Sequence, residues 1–360
     1  MKSSAIGRRE FLQAAAAAAL SSKYLRGQSS PPRSIPTTNP AAKSPPLPKS
    51  LLTPNADFFI RNHFKTPTIN EEKWTLEIDG AVTNPIKLSY SDLLLATSVR
   101  RPLTTECAGN LSGGAGVSTA IWSGLPLADL LKQAGIQAKA TTIIFHGADA
   151  GDAEGMPPGT HYARAIPLDK AMDDSTLLAY EMNGAPLPPE HGFPLRALVS
   201  GWYGMDSVKW LTRIEVSQEP FQGYFQQQYY VALKANGDRQ IITRMRVNSK
   251  FLRPIEAEEI RSQTYQIEGV AWAGEAKIAK VELRFDESSP WQPAELAQSP
   301  IPMVWTPWSF AWKIPQPRPY KIEVRATDDQ GNSQPLSRDP DRKDDYELNT
   351  PHRIAVTSRP

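Results

Sequence analysis

Residues 180–214 read YEMNGAPLPPEHGFPLRALVSGWYGMDSVKWLTRI and combine a turn signal, a proline-rich stretch and several cationic side chains. The Asn183-Gly184 pair is typical of a tight hairpin turn. The prolines between residues 186 and 194 make the next stretch extended and stiff. Taken singly, cationic residues are common on protein surfaces, but this rigid backbone would fix His191 and Arg196 in place, and Lys209 further on is a third donor.

The only cysteine of the 360-residue chain is Cys107, in the sequence TTECAGNLSGG of residues 104–114. A single cysteine excludes an intrachain disulfide, a CxxC zinc site and a CxxCH haem attachment. Free cysteine is commonly a small buried hydrophobic residue, but the glycines that follow it form a loop whose backbone can approach a ligand closely. Two functional interpretations stay open: a thiolate ligand of a metal, or a nucleophile with one of the five histidines as its base.

A second polar cluster lies in FFIRNHF, residues 58–64, where Arg61, Asn62 and His63 are consecutive. Guanidinium, amide and imidazole donors together suit an oxyanion or a phosphate, although a solvated turn after two core phenylalanines has the same pattern. This cluster and the cations of residues 191–209 would together surround a glycine-rich thiolate loop. The combination predicts an anionic, phosphate-bearing metal cofactor.

Composition and periodicity divide the chain into four segments. Residues 1–30 carry an arginine pair before an alanine-rich run too short to span a membrane, which predicts a twin-arginine export signal. Residues 31–50 predict a proline-rich linker. Residues 51–250 mix strand-like and short helical runs and predict an α+β catalytic domain. Residues 251–360 alternate apolar and polar positions and predict an all-β, immunoglobulin-like sandwich.

Several individual elements can be placed within these segments. Residues 126–134 predict a helix that ends at Gly135, and Ser91 is a candidate cap for the helix DLLLA that follows it. The alternating stretches of the C-terminal segment predict strands over 278–285, 308–314 and 320–328. A formal net charge of +2 without a dense basic run argues against nucleic acid or a membrane surface as the partner. A small molecule is therefore expected.

Ordered motifs along residues 50–357 resemble the sulfite oxidase family of molybdopterin-dependent oxidoreductases. These motifs are FFIRNH, ECAGN, WSGLPLADLL, FHGAD, IPLDKAM, YEMNGAPLPPEHGFPLR, SVKWLTRI, GVAWAG, RATDDQGN and NTPHRIAV. The resemblance implies one molybdenum, held by the dithiolene of a single molybdopterin and by Cys107, that supports oxygen-atom transfer. It also implies cofactor contacts from Phe59, Ile60, Arg61, Asn62, His63, Asp149, His191, Arg196, Ser207, Val208 and Lys209. By the same resemblance, Arg61 also faces the substrate and Tyr230 is the pocket tyrosine, with Tyr229 as the alternative.

The sequence departs from the family pattern directly after CAGN. Leu111 and Ser112 stand where sulfite oxidases usually have two arginines, the second of which helps to bind the sulfite anion. Losing a cation from such a pocket weakens binding, because a hydrogen bond to a charged group contributes about 1.5–3 kcal/mol. Asp206 also replaces a basic residue that many relatives have before SVKW.

The predicted export signal implies a periplasmic protein, and the resemblance implies an enzyme that oxidises a small anionic sulfur substrate, sulfite, to sulfate. Because the chain has no haem-attachment motif or haem domain, electrons are expected to pass to a separate acceptor such as a c-type cytochrome. The C-terminal domain is of the type associated with homodimers in the family. Two alternatives stay open: a relative that acts on another sulfur substrate, such as a sulfane or a sulfoxide, and a non-catalytic binding module. The intact cysteine of ECAGN argues against the second alternative.

Overall fold

The computed structural model describes residues 51–152, 156–297 and 299–360. The predicted export signal and linker, residues 1–50, lie outside these ranges. Within them, strands predominate and are accompanied by three short α-helices, so the helical content is lower than the α+β prediction suggests. None of the helices in the described ranges is long and apolar enough to cross a membrane.

The N-terminal part contains two main sheets. Its strands are β1 (Thr75–Gly80), β2 (Ile86–Ser89), β3 (Val99–Glu106), β4 (Val117–Pro126), β5 (Thr142–Gly151), β6 (Thr160–Pro167), β7 (Leu177–Met182), β8 (Ala185–Pro186), β9 (Arg196–Leu198), β10 (Leu211–Ser217), β11 (Val231–Leu233) and β12 (Arg239–Ile241). One sheet has the order β2-β1-β10-β5-β6, with β1 and β10 parallel and the other neighbours antiparallel. The second has the order β3-β4-β7-β8, with β9 paired to β7, and β11 and β12 form a separate ribbon.

The helices of the N-terminal part are α1 (Tyr90–Leu95), α2 (Leu127–Ala134) and α3 (Leu168–Ala171). Helix α1 begins with a capping box. The side chain of the N-cap residue, Ser89, accepts a hydrogen bond from the amide of Asp92, and the side chain of Asp92 accepts one from the amide of Ser89. The prediction that Ser91 caps this helix was therefore wrong, because β2 stays extended up to Ser89 and Ser91 lies inside the first turn. The predicted end of α2 is confirmed: Gly135 follows it with a φ of 71°, which favours glycine.

The C-terminal part consists of two sheets that share one apolar core. Its strands are β13 (Asn248–Arg253), β14 (Glu259–Ile260), β15 (Thr264–Trp272), β16 (Ile278–Arg284), β17 (Gln292–Pro293), β18 (Glu295–Leu296), β19 (Thr306–Lys313), β20 (Pro319–Asp328) and β21 (His352–Ser358). The sheets have the orders β13-β15-β19-β18 and β14-β21-β20-β16-β17. The three predicted strands correspond to β16, β19 and β20. Ile267 from one sheet and Val281 and Ile322 from the other are fully buried in the common core.

The two parts also pack against each other. Trp272 and Trp305 belong to the C-terminal part of the chain, yet their side chains are buried in the large apolar core of the N-terminal sheets. The indole nitrogen of Trp305 donates to the carbonyl of Leu51 at 3.0 Å. Burying large aromatic side chains across the boundary stabilises their arrangement because apolar surface is removed from water.

A buried ion pair joins β6 to the segment before β10. The side chains of Arg164 and Asp206 are completely buried, and Nε of Arg164 donates to Oδ1 of Asp206 at 2.8 Å. The other guanidinium nitrogens donate to the carbonyls of Phe225 and Ile242. The acidic residue at position 206 therefore neutralises a buried arginine, which accounts for a buried carboxylate at this position.

We expect Asp206→Ala to lower the free energy of unfolding by about 3–5 kcal/mol, because it leaves the Arg164 charge buried without a partner. The matched control is Glu77→Ala, which breaks an exposed pair with Lys87 and should cost less than about 1 kcal/mol. Urea denaturation of both variants measures the difference. Equal costs for the two substitutions would contradict the structural role of Asp206.

Candidate functional site

Most of the predicted site residues converge on one cavity that is partly open to solvent. Of the predicted residues, those that line it are Phe59, Arg61, Asn62, His63, Cys107, Asp149, His191, Arg196, Ser207, Lys209 and Tyr230. The structure does not bring the remaining two to the cavity wall: Ile60 is 52 % exposed and Val208 is buried in the core. Tyr230 lines the cavity, whereas the alternative Tyr229 does not.

Cys107 lies directly after β3, in a loop that closes on itself. The amide of Cys107 donates to the carbonyl of Gly116 at 2.8 Å. Oδ1 of Asn110 accepts from the amide of Gly116 at 2.9 Å. A methyl group in place of a hydrogen on Gly114 would lie 2.5 Å from this oxygen, and one on Gly116 2.9 Å. Small residues are therefore required where the loop folds over Asn110.

The environment of the thiol lacks the features that activate a cysteine nucleophile. Burial raises the pKa of Cys107, while the backbone amide of Gly109 and the charge of Arg61 oppose the rise. Among the described residues, no histidine hydrogen-bonds the sulfur: His63 pairs with a tyrosine hydroxyl and His191 with a backbone carbonyl. A nucleophilic thiol needs an adjacent base or a lowered pKa, and neither is present in this part of the structure.

Glu106, immediately before the cysteine, is a buried residue that sequence reasoning missed. Its carboxylate accepts from the indole nitrogen of Trp272 at 2.8 Å and from the side-chain amides of Asn110 and Asn248 at 3.0 and 3.3 Å. Burial raises its pKa to about 7, against these three hydrogen bonds. The sole signal in the sequence was an acidic residue inside the ECAGN motif, with nothing to indicate partners so far along the chain.

Tyr230 follows a single π-helical turn, Phe225–Tyr229, a feature that is frequent at functional sites. Its hydroxyl lies 2.8 Å from Nε2 of His63, and the His63 ring stacks on Tyr162 with 4.8 Å between centroids. Burial and the nearby charges of the cavity lower the pKa of His63 to about 3. The imidazole is therefore neutral at pH 7 and orients the Tyr230 hydroxyl without carrying a charge.

The far side of the cavity is rich in incompletely satisfied polar groups. Within the described residues, Nε of Arg196 and Oδ1 of Asp149 are buried without a hydrogen-bond partner. Lys209 donates to the side chain of Asn62 and to the carbonyl of Glu190. Burial and the charge of Arg196 lower the pKa of Lys209 to about 7. Buried cations in this state call for an anion, so the residues present fit the phosphate-bearing pterin that the sequence implies.

Comparison with protein families gives two matches in chain order. Residues 63–225 match the oxidoreductase molybdopterin binding domain, and residues 239–343 match the Mo-co oxidoreductase dimerisation domain. Together the matches cover most of the described chain. They agree with a fold in which a molybdopterin-binding part precedes a separate C-terminal part.

Curated relatives include the mitochondrial sulfite oxidases of rat (Rattus norvegicus) and human (Homo sapiens), 33 % and 34 % identical over 330 and 331 residues. Each alignment covers 82 % of this chain and 59 % of the relative, so the chain spans little more than half their length. An inducible nitrate reductase of Glycine max is 32 % identical over 347 residues, which covers 82 % of this chain and 39 % of that protein.

One solved structure has a similar fold. The sulfane dehydrogenase SoxCD from Paracoccus pantotrophus superposes with a TM-score of 0.77 and covers 93 % of this chain and 94 % of its own. Its sequence identity is 23 %, so the likeness concerns the fold alone.

The Glu106 network leads to a stability prediction. We expect Glu106→Ala to lower the free energy of unfolding by about 3 kcal/mol or more, since each of the three buried donors left without an acceptor costs about 1–3 kcal/mol. Glu268→Ala serves as the control, because Glu268 pairs with the exposed Arg253. Urea denaturation compares the two variants, and a cost for Glu106→Ala no larger than that of the control would refute the proposed role of this network.

The lowered pKa of His63 leads to a pH prediction for the cofactor-free protein. Between pH 6.5 and pH 3 the unfolded chain binds a proton at this position and the folded chain does not, so His63 reduces stability as the pH falls. When the pH falls from 7.5 to 5, the free energy of unfolding of the native protein should decrease by about 2 kcal/mol more than that of His63→Gln.

Urea denaturation at the two pH values measures this difference. His161→Gln, which replaces an exposed histidine, is the control and should follow the native pH dependence. If the free energies of unfolding of native protein and His63→Gln changed equally with pH, His63 would be protonated to the same extent in the folded and the unfolded protein, which contradicts the prediction.

Proposed function

This chain belongs to the sulfite oxidase family of molybdopterin-dependent oxidoreductases, and on that basis we propose that it oxidises sulfite to sulfate. The observation that carries the proposal is the position of Cys107 in a cavity that is also lined by the buried Arg196, whose Nε has no hydrogen-bond partner, and by the partly buried Lys209. The sulfite oxidases among its relatives support the choice of substrate. The cavity and its cysteine support an enzyme rather than a non-catalytic binding module.

In this proposal Cys107 holds molybdenum, and the polar residues of the cavity hold the pterin. When bound, the cofactor supplies oxygen-atom transfer and accepts two electrons. Arg196, Lys209 and His191 would bind its anionic and polar groups, and the buried Asp149 would accept a hydrogen bond from it. The side chains of Ile60 and Val208 do not line the cavity. Only the backbones of these two residues would therefore contact the cofactor.

Arg61 is proposed to orient the substrate anion. Among the described residues its guanidinium donates to the carbonyl of Asn62 at 2.8 Å and forms no ion pair, so most of its donors are free for a ligand. Tyr230 stays protonated because burial raises its pKa well above 10. Its hydroxyl, placed by His63, is therefore available as a hydrogen-bond donor or acceptor beside Cys107.

A second candidate substrate class is a sulfane or a sulfoxide. The specific observation in its favour is that Leu111, 64 % exposed, and Ser112 occupy the positions where two arginines are expected. A less highly charged sulfur compound needs fewer cations in its pocket. The name of the sulfane dehydrogenase with the similar fold agrees with this class.

The proposal also covers the location of the enzyme, its electron acceptor and its oligomeric state. We propose a periplasmic protein, exported by the twin-arginine route, that passes electrons to a c-type cytochrome. The match to a dimerisation domain supports a homodimer formed through the C-terminal part. The two sheets of that part, with their common core, support an immunoglobulin-like sandwich.

Sulfite-dependent reduction of ferricyanide by molybdenum-loaded protein tests the proposed function. We expect turnover by native protein and near-complete loss of turnover, with loss of bound molybdenum, in Cys107→Ser, because a hydroxyl is a poorer ligand than a thiolate for this metal. Metal analysis accompanies each assay. Full activity in Cys107→Ser would contradict the ligand assignment. Loaded native protein that reduces a sulfoxide or oxidises a sulfane but leaves sulfite unchanged would favour the second class.

A further inference from the structure

A C-terminal segment, residues 338–350, lies along the cysteine loop of residues 107–113. The amide of Glu347 donates to the carbonyl of Ala108 at 2.8 Å. Further along, the hydroxyl of Ser112 donates to a carbonyl of the same segment. The segment therefore covers the loop at the point where the sequence departs from the pattern of sulfite oxidases.

Ion pairs hold this segment in place. Arg342 donates to the carboxylates of Asp344 and Glu347 at 2.7–2.8 Å, and Arg246 pairs with Glu347 at 3.1 Å. The side chains of Arg342, Asp344 and Glu347 are at most 10 % exposed. Networks of hydrogen-bonded, largely buried charges fix geometry more firmly than exposed pairs, so the backbone between Asp344 and Glu347, which carries Asp345 and Tyr346, has a defined position.

Of these two residues, Tyr346 has its ring over the cysteine loop. A methyl group at Gly109 would be 3.9 Å from the ring, and the ring centroid is 5.4 Å from that of Tyr230. Burial raises the pKa of Tyr346, and the charge of Arg61 opposes the rise, so the hydroxyl is protonated at neutral pH. Among the described residues this hydroxyl makes no hydrogen bond, and the side chain is partly exposed. Tyr346 does not itself line the cavity, but its ring packs against that of Tyr230, which does.

Besides the Tyr230 hydroxyl, the side chains that follow Asn110 in the cysteine loop supply no free donor. Leu111 is apolar, and the hydroxyl of Ser112 is already donated to the C-terminal segment. Arg61 supplies the positive charge, but an oxyanion has more oxygens than one guanidinium satisfies. We propose that Tyr346 is a substrate-binding residue that donates a hydrogen bond to an oxygen of the sulfur oxyanion held by Arg61. This inference rests on the proposed function, because it assumes an oxyanion as the ligand.

Tyr346→Phe tests the inference, since it keeps the ring that packs on Gly109 and removes the hydroxyl alone. With molybdenum-loaded protein, we expect the KM for sulfite to rise about tenfold or more, the range for a lost hydrogen bond to a charged group, with kcat within about twofold. Binding of sulfate, measured by calorimetry on the same protein, should weaken by the same factor. Sulfate binding needs no turnover and so reports on Tyr346 independently of the reaction.

Tyr265→Phe is the matched control, because the Tyr265 hydroxyl donates to Glu258 within the C-terminal part. It should leave the KM and the sulfate affinity at native values. If native protein binds sulfate but does not oxidise sulfite, the proposed function fails, and a weakened affinity in Tyr346→Phe still supports the inference. An unchanged sulfate affinity in Tyr346→Phe, or no sulfate binding by loaded native protein, overturns it.

Discussion

The buried carboxylate of Glu106 is the interaction on which the geometry of the site depends. It accepts hydrogen bonds from Asn110, within the cysteine loop, and from Asn248 and Trp272, which belong to the C-terminal part. A buried carboxylate is costly unless its lone pairs are satisfied, so the loop and the two C-terminal strands must be in place together. Cys107, the next residue, is held where this arrangement puts it.

In the cavity beside that loop, the unfavourable groups are cations rather than a carboxylate. Arg196 and Lys209 are buried or nearly so, and each has a pKa lowered by burial, to about 10 and about 7. An anion in the cavity would reverse this effect, because an opposite charge nearby favours the charged form of a lysine. Binding of a phosphate-bearing cofactor would therefore neutralise cations whose burial is unfavourable in the cofactor-free protein, and should stabilise the folded state.

Local patterns in the sequence predicted the parts of the structure that depend on near neighbours. Alternation located β16, β19 and β20, and a glycine located the end of α2. The cationic clusters and the cysteine could be recognised by residue type. Glu106 and Tyr346 could not, since Asn248 and Trp272, two of the three partners of Glu106, and Tyr230, on which Tyr346 packs, lie more than 100 residues away in the chain. The Ser89 cap was missed for a different reason: two serines within three residues were equally suitable by type.

The structure also separates two departures that looked alike in the sequence. Asp206 is fully buried and neutralises Arg164, so its acidic charge is cancelled locally and does not oppose an anion in the cavity. Position 112 is different, because Ser112 contacts the C-terminal segment and contributes no charge. Under the proposed function, the affinity for a sulfur oxyanion would then depend on Arg61 and on the neutral hydroxyls proposed as donors. Such a pocket can hold an oxyanion with less long-range attraction, which makes binding depend more on geometry than on net charge.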